Sequence, residues 1–465
     1  MRIALVAPRH NPQYPQPPIG LAIVASLLEK AGHQVRVVDA DAEPPEHALV
    51  AAADADWVGL SAVTPTIRSA LTLARQLKEA HPKLTLVLGG PHATLLPQQT
   101  LEKAPDIDIL VRGEGEETAV ELARALEQRT TLEGIKGVSF RQEGRIVHNP
   151  DRPFLAGLDS LPLLPYDKLP LRRYRPHPPY GRALPFAALL TTRGCPYNCT
   201  FCSKPVFGRR FRVQSAERVL EDIAELKSRY GVREIAFYDD TFTVDRKRSI
   251  ALAEGMVQRG LKLHWTCGTR VNLVDRELLR LLKKTGCYAI SYGVESGDQG
   301  ILDNLKKGTT LEQGAEAIAM TREAGIYTIG YFMIGSPGET PETIAKTLRF
   351  AKALKVDFAQ FAITMPFPGT ELHDMYIKDK GSEPPWEGYM YATAARHLAP
   401  VFETDLLSRN DLQAWVSRAY REFYLRPSYV WQSLRRCMSW GDLKVNARGL
   451  FMFMDTVLPQ RQDSH

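Results

Sequence analysis

The chain has 465 residues, 44% hydrophobic and 24% charged, a balance that excludes disordered and fibrous classes. Lys and Arg number 59 against 53 Asp and Glu, and +6 spread over this length reads as scattered surface charge, so no nucleic acid partner is expected. No run approaches about 18 apolar residues, which predicts no transmembrane segment, and the opening MRIALVA reads as a buried strand of a cytoplasmic protein, not a signal peptide.

From the N-terminus, apolar runs begin at Arg2, Gln34, Trp57, Leu84 and Ile107, with amphipathic stretches between them, such as those from Gly20 and Thr66. This alternation predicts an α/β, doubly wound, flavodoxin-like (Rossmann-type) domain over 1–130, with its ligand at the carboxyl ends of the strands. Residues 131–183 include LPLLPYDKLPLRRYRPHPPYGRALP, and proline at that density predicts a linker without regular helix or strand. A second β/α series over 184–400 has strand candidates from Phe186, Glu234, Lys262, Tyr288, Tyr327 and Asp357. Six such units predict a partial (β/α)6 barrel of the TIM type, with site residues at the strand ends. Residues 401–465 predict a helical extension broken at Pro427.

The first barrel strand runs into TTRGCPYNCTFCSKP, which places Cys195, Cys199 and Cys202 in a C-x3-C-x2-C array. Close thiolates are soft ligands for iron–sulfur clusters or zinc. Three can hold a [4Fe-4S] cube and leave its fourth iron open. Structural zinc wants a fourth protein ligand, and the nearest upstream histidine is His177, inside the proline-rich stretch. Cys267, Cys287 and Cys437 are scattered and read as small buried apolar side chains.

This cysteine motif, after the first strand of a six-unit barrel, resembles the signature of the radical S-adenosylmethionine superfamily. A flavodoxin-like domain joined to it by a proline-rich segment resembles the cobalamin-binding branch. The resemblance covers about 1–400. It implies a [4Fe-4S] cluster on the three cysteines, S-adenosylmethionine on its open iron, and cobalamin in the first domain. It implies a 5′-deoxyadenosyl radical and, commonly in this branch, methyl transfer from methylcobalamin to an unactivated carbon of a small-molecule or lipid-like substrate. Ring formation, ring contraction or another rearrangement is the alternative, and a non-enzymatic cobalamin-binding protein is a third reading. An external electron donor of the flavodoxin or ferredoxin type is implied as well. The tRNA methylthiotransferases resemble this barrel but need three further N-terminal cysteines, and none precedes Cys195. Tyr424, Tyr429, Trp431, Trp440, Phe451 and Phe453 lie among arginines near the C-terminus, a pattern that allows a roof over the site, peripheral membrane contact or ordinary helix packing.

Residue by residue, the resemblance places Phe201 against the adenine and Asp239 or Asp240 of FYDDTFT at the methionine amino group, with helix capping as the other reading. The Gly-Gly-Glu form common elsewhere in the superfamily is absent. Glu295 and Ser296 of YGVESG would meet ribose or methionine, unless Glu295 is held in a salt bridge, and Arg270 would be its partner or a clamp on the methionine carboxylate. Gly335 and Gly338 would let backbone approach the adenine, with Thr340 capping the next helix. MPFPGTEL, from Met365, is substrate-side or a rigid turn. For cobalamin the corresponding positions are Gly20, Ser61, Thr64, Gly89, Gly90, Gly113 and Glu114. The D-x-H-x-x-G motif that supplies a histidine to cobalt is missing, so neither His10 nor His92 is expected to be a ligand.

Overall fold

The computed structural model describes residues 1–10, 14–176, 181–204, 206–389, 402–404, 406–429 and 431. The expected C-terminal helical extension therefore falls partly outside the described residues, as do His177, Cys437, Trp440, Phe451 and Phe453.

Five apolar runs form β1 (Arg2–Ala7), β2 (Gln34–Asp39), β3 (Trp57–Ser61), β4 (Thr85–Gly89) and β5 (Ile109–Val111), in the parallel order β2-β1-β3-β4-β5. Side chains alternate across this sheet. Ile3, Leu5 and Val87 pack with Leu28 of the Ile19–Lys30 helix and Leu122 of the Gly115–Gln128 helix, while Ala4, Val6 and Leu88 pack on the other face with Leu77 of the Ile67–Ala80 helix. Both faces are covered, which is why these strands read as continuous apolar runs.

The linker expectation needs correcting at its start. Val138–Gln142 (β6) and Arg145–His148 (β7) form an antiparallel hairpin that extends the first sheet beyond β5. Its two-residue turn, Glu143-Gly144, has φ of 50° and 76°, the left-handed pair that matches strand twist. After the hairpin the described residues of the proline-rich chain have only short 3-10 turns, at Tyr166–Lys168 and Leu171–Arg173. Tyr166 and Tyr174 anchor it: the Tyr166 hydroxyl donates to the Ala188 carbonyl at 2.6 Å, and the Tyr174 hydroxyl donates to Asp39 at 2.9 Å. The segment is thus sewn to both sheets.

The second series forms β8 (Phe186–Leu189), the short β9 (Thr192–Arg193) and β10 (Arg212–Val213), then β11 (Glu234–Phe237), β12 (His264–Thr269), β13 (Cys287–Glu295), β14 (Tyr327–Ile334) and β15 (Phe358–Ile363). The six longer strands make one parallel sheet in the order β8-β11-β12-β13-β14-β15, and β9 pairs with β10 separately. Each strand pairs with the next in chain order, as in part of a TIM barrel.

The Arg409–Tyr424 helix, the last long helix among the described residues, opens on a capping box between Ser408 and Asp411 and lies along β15. Two of its tyrosines and Tyr429 just beyond it answer the edge-strand problem. The Tyr424 hydroxyl accepts from the Ala359 N–H at 3.0 Å and donates to its carbonyl at 2.9 Å; Tyr420 accepts from the Phe361 N–H at 3.3 Å; Tyr429 donates to the Asp357 carbonyl at 2.9 Å. Residues 357, 359 and 361 share one side of the strand, so one row of hydroxyls serves the edge. Helix packing, one of the readings for this region, is thereby observed.

Candidate cofactor site between the two sheets

The strand ends of both sheets open on one cavity of about 1350 Å³. Ala7, Ser61, Gly89 and Gly113 line it from the first domain, and Leu190, Asp240, Tyr331 and Thr364 from the second, with Val416 and Tyr420 of the last helix closing one side. Strand C-termini are where both fold types place ligands.

On the first-domain side the glycines form a cradle. Gly90 has φ of 95°, and a Cβ there would stand 2.8 Å from the Ala62 carbonyl, so only glycine lets β3 and β4 approach this closely. Gly113 (φ 72°) and Gly20 have no atom within 4 Å of a Cβ position, and both line the cavity. Side chains at these two points would take space from a ligand, and the cradle fits a large flat one such as a corrin. Ser61, Gly89 and Gly90 line the cavity as expected. Thr64 does not: it is buried, with its hydroxyl 3.2 Å from His92 Nδ1. Burial pushes the His92 imidazole down to about 3, so it is neutral, and it sits edge-on to Trp386 away from the cavity. His10 does line the cavity, its backbone N–H donating to Asp41 at 2.7 Å.

Glu114 requires correction as a free cofactor contact. Both its oxygens are taken: Oε1 by Arg193 at 2.8 Å and Arg212 at 2.8 Å, Oε2 by Arg212 at 2.9 Å and by the Leu155 N–H at 2.7 Å. Its carboxylate is committed to protein before any ligand arrives.

The cysteine loop follows β9. Cys195 is buried with its Sγ 3.9 Å from the Thr241 hydroxyl, while Cys199 and Cys202 line a side cleft of about 310 Å³. Arg270 is 3.5 Å from the Cys199 sulfur, stacks on Tyr197 with its guanidinium 3.8 Å from the ring centre, and donates to the Lys307 carbonyl. Among the described residues no three His, Cys, Asp or Glu side chains stand close enough to hold a single metal ion. Three thiols on one short loop suit the three protein-bound irons of a [4Fe-4S] cluster, whose fourth iron takes no protein ligand. Phe201 lines the large cavity, as expected of a residue facing a nucleoside.

The two aspartates part company. Asp239 is buried and accepts from the Thr191 N–H at 2.5 Å, the Thr191 hydroxyl at 2.6 Å and the Thr192 N–H at 2.8 Å, so it staples the end of β8 and does not reach the cavity. Asp240 lines the cavity; burial raises its pKa and Lys204 opposes the rise. The cofactor expectation therefore rests on Asp240.

Glu295 is bound by Lys307 at 2.6 Å in a pair with both side chains buried, which is the salt-bridge reading, and Arg270 is not its partner. Glu295 sits at φ 67°, rare for a residue other than glycine, where β13 shifts register against β14. Lys307 Nζ also lies 5.8 Å from the Phe201 ring centre, which ties this pair to the cysteine loop. Ser296 is turned inward, its hydroxyl 3.1 Å from that of Thr347. Gly335 and Gly338 have φ of 87° and 80° and do not line the cavity; a Cβ on Gly335 would meet Leu412 at 2.8 Å. That turn is held from within by Glu339, which accepts from the Gly335 N–H at 2.6 Å and the Ser336 N–H at 3.0 Å. Thr340 caps the next helix as expected, and MPFPGTEL serves both ways: Met365 and Phe367 line the cavity while Thr370 caps the Glu371–Lys380 helix.

The B12 binding domain family matches residues 7–123 and the radical SAM superfamily matches residues 189–351. An uncharacterized methyltransferase of Pyrococcus horikoshii is 37% identical over 89% of this chain and 89% of its own. The anaerobic magnesium-protoporphyrin IX monomethyl ester cyclase of Cereibacter sphaeroides is 33% identical over 96% of this chain and 74% of its own. The solved structure of the cobalamin-dependent S-adenosylmethionine radical enzyme OxsB, with aqua-cobalamin and S-adenosylmethionine bound, shares the fold with a TM-score of 0.72 at 18% identity, covering 98% of this chain and 71% of that one. The chain belongs to the cobalamin-binding radical S-adenosylmethionine enzymes, whose cofactors are a [4Fe-4S] cluster, S-adenosylmethionine and cobalamin.

Sequence reasoning missed Arg193, Arg212 and Lys307. Arg193 stands two residues before Cys195 in the quoted motif, which is a usable signal; Lys307 carries none, because its partner is set by the register shift in β13.

Proposed function

We propose that this protein methylates an unactivated carbon of an uncharged, largely apolar small molecule. The observation that carries this reading is the shared cavity and the division of its walls. Among the described residues, every Asp, Glu, Lys and Arg lining it comes from the first domain, the cysteine loop and its β9 neck, or the turn after β11. The opposite wall is Ile329, Met333, Ala362, Met365 and Phe367 with Val416 of the last helix, interrupted only by neutral polar groups such as Gln360 and Gln413. A charged substrate group would be left unpaired against such a wall. Lipid-like and terpenoid molecules fit it.

When bound, the cofactors supply a 5′-deoxyadenosyl radical and a methyl carrier. The chain positions and shields them. Phe201 offers an apolar face at the cavity margin. Asp240, beside Lys204, is placed to accept from an ammonium group. Arg270 holds charge at Cys199, and the apolar wall excludes water that would otherwise quench a reactive carbon. An external one-electron donor of the flavodoxin or ferredoxin type in the cytoplasm would complete the system; no helix among the described residues is long and apolar enough to cross a membrane.

A second reading, ring closure without methyl transfer, draws on the 33%-identical cyclase. One assay separates them. The reconstituted enzyme is incubated anaerobically with reductant, methyl-labelled S-adenosylmethionine and candidate apolar substrates. Methyl transfer predicts S-adenosylhomocysteine and 5′-deoxyadenosine together, with label in the product. 5′-Deoxyadenosine and a modified but unlabelled product would overturn methyl transfer and favour cyclisation.

A further inference from the structure

The cysteine loop is an excursion closed at its neck. Thr192–Arg193 and Arg212–Val213 pair antiparallel, with Arg193 opposite Arg212, and residues 194–211, including all three cysteines, lie between them. Both neck arginines reach across to the first domain. Arg193 forks, one nitrogen to Glu114 at 2.8 Å and the other to Glu116 at 2.5 Å; Arg212 holds Glu114 at 2.8 and 2.9 Å. All four side chains are 3–7% exposed. Phe207 and Phe154 cover the two guanidinium groups at 5.0 and 4.7 Å from their ring centres. Glu114 and Glu116 stand at the start of the Gly115–Gln128 helix, beside Gly113 of the glycine cradle.

Such a network is hard to explain as stabilisation alone. Desolvating four charges is costly, and apolar residues of similar size serve an interface as well or better. What ionic pairs add is direction: a planar fork gripping two carboxylates fixes both distance and angle. We infer that Arg193, Arg212, Glu114 and Glu116 are positioning residues that set the separation between the cluster loop and the cobalamin cradle. The inference rests on the family's cofactors, not on methyl transfer. Lysine at 193 keeps the charge but has one point of contact where the fork has two.

The test compares wild-type holoenzyme with Arg193→Lys and the milder Glu116→Gln, each reconstituted with iron, sulfide and cobalamin. Iron and cobalt per chain are measured first, then the electron paramagnetic resonance of the reduced cluster and of paramagnetic cobalamin in the same sample. The expected result is full cofactor load in both variants with the cluster-induced relaxation of the cobalamin signal reduced roughly twofold, because a loosened support displaces its site by a substantial fraction of an ångström or more. Unchanged relaxation in both variants at full load would overturn the proposal. Loss of iron, cobalt or soluble protein in both would also overturn it, reducing the network to a structural brace.

Discussion

Asp239 and Asp240 are neighbours in sequence and opposites in setting. Asp239 is consumed by three donors just after β8, and an Asn there puts an NH2 group where Oδ2 accepts from the Thr191 hydroxyl and removes the negative charge facing buried Arg248. Asp239→Asn is expected to destabilise the fold by about 2–4 kcal/mol, read as a lower midpoint in urea. Asp240→Asn is expected to leave that midpoint within about 0.5 kcal/mol of wild type but to weaken S-adenosylmethionine binding about tenfold or more, read by equilibrium dialysis. The reverse pattern would show that the cavity-facing acid had been misassigned. The motif FYDDTFT marked both residues; which one turns inward depends on the strand's pleat at its last residue, which sequence does not resolve. Glu339 offers a pH signature at the same scale. Burial raises its carboxyl to about 7 from 4.5, against two backbone N–H donors that pull it down. The folded state therefore holds a proton that the unfolded chain releases above about pH 4.5. Its contribution is full below pH 4.5 and is lost as pH rises toward 7, by on the order of 2–3 kcal/mol. Thermal melts from pH 4.5 to 8 should fall more steeply for wild type than for Glu339→Gln; parallel curves would contradict this.

Among the elements, the strands were the most legible, because buried parallel strands are written as apolar runs between helices. The β6–β7 hairpin was readable too, in VSFRQ-EG-RIVH, but the proline-rich stretch after it led the whole segment to be read as linker. The last helix was legible as amphipathic, yet its purpose was not. Its tyrosines look like packing or a membrane face until β15 is known to be an edge, and that fact depends on strand order. Tyr424→Phe removes a hydroxyl that serves both the N–H and the carbonyl of Ala359. It should cost about 1–2 kcal/mol and speed hydrogen exchange at Ala359 while sparing the amides of β12. Exchange unchanged at Ala359 would mean that the hydroxyl does not cap the edge.

For the molecule as a whole, each sheet supplies half of a site and neither half is complete alone. The cysteine motif announced the barrel's half by itself, since few arrangements put three thiols in eight residues. The first domain's half was much less distinct: its glycines matter through a cradle that only the folded strand ends create, and Glu114 looked like a ligand contact because its arginine partners lie about 80 and 100 residues further along the chain. The interdomain ion network, the tyrosine-capped edge and the proline-rich segment tied to both sheets all hold in place the two domains whose strand ends line one cavity.

The measurement that tests this most directly is metal content: iron, sulfide and cobalt per chain after anaerobic purification from cobalamin-fed cells, alongside a variant in which Cys195, Cys199 and Cys202 are all alanine. The account predicts about four iron and about one cobalt per chain in wild type, and about one cobalt without iron in the variant, because different residues, in different domains, hold the two cofactors. About four iron with no cobalt, even after reconstitution with cobalamin, would contradict it, leaving the barrel's chemistry without the partner that the shared cavity is built to bring to it.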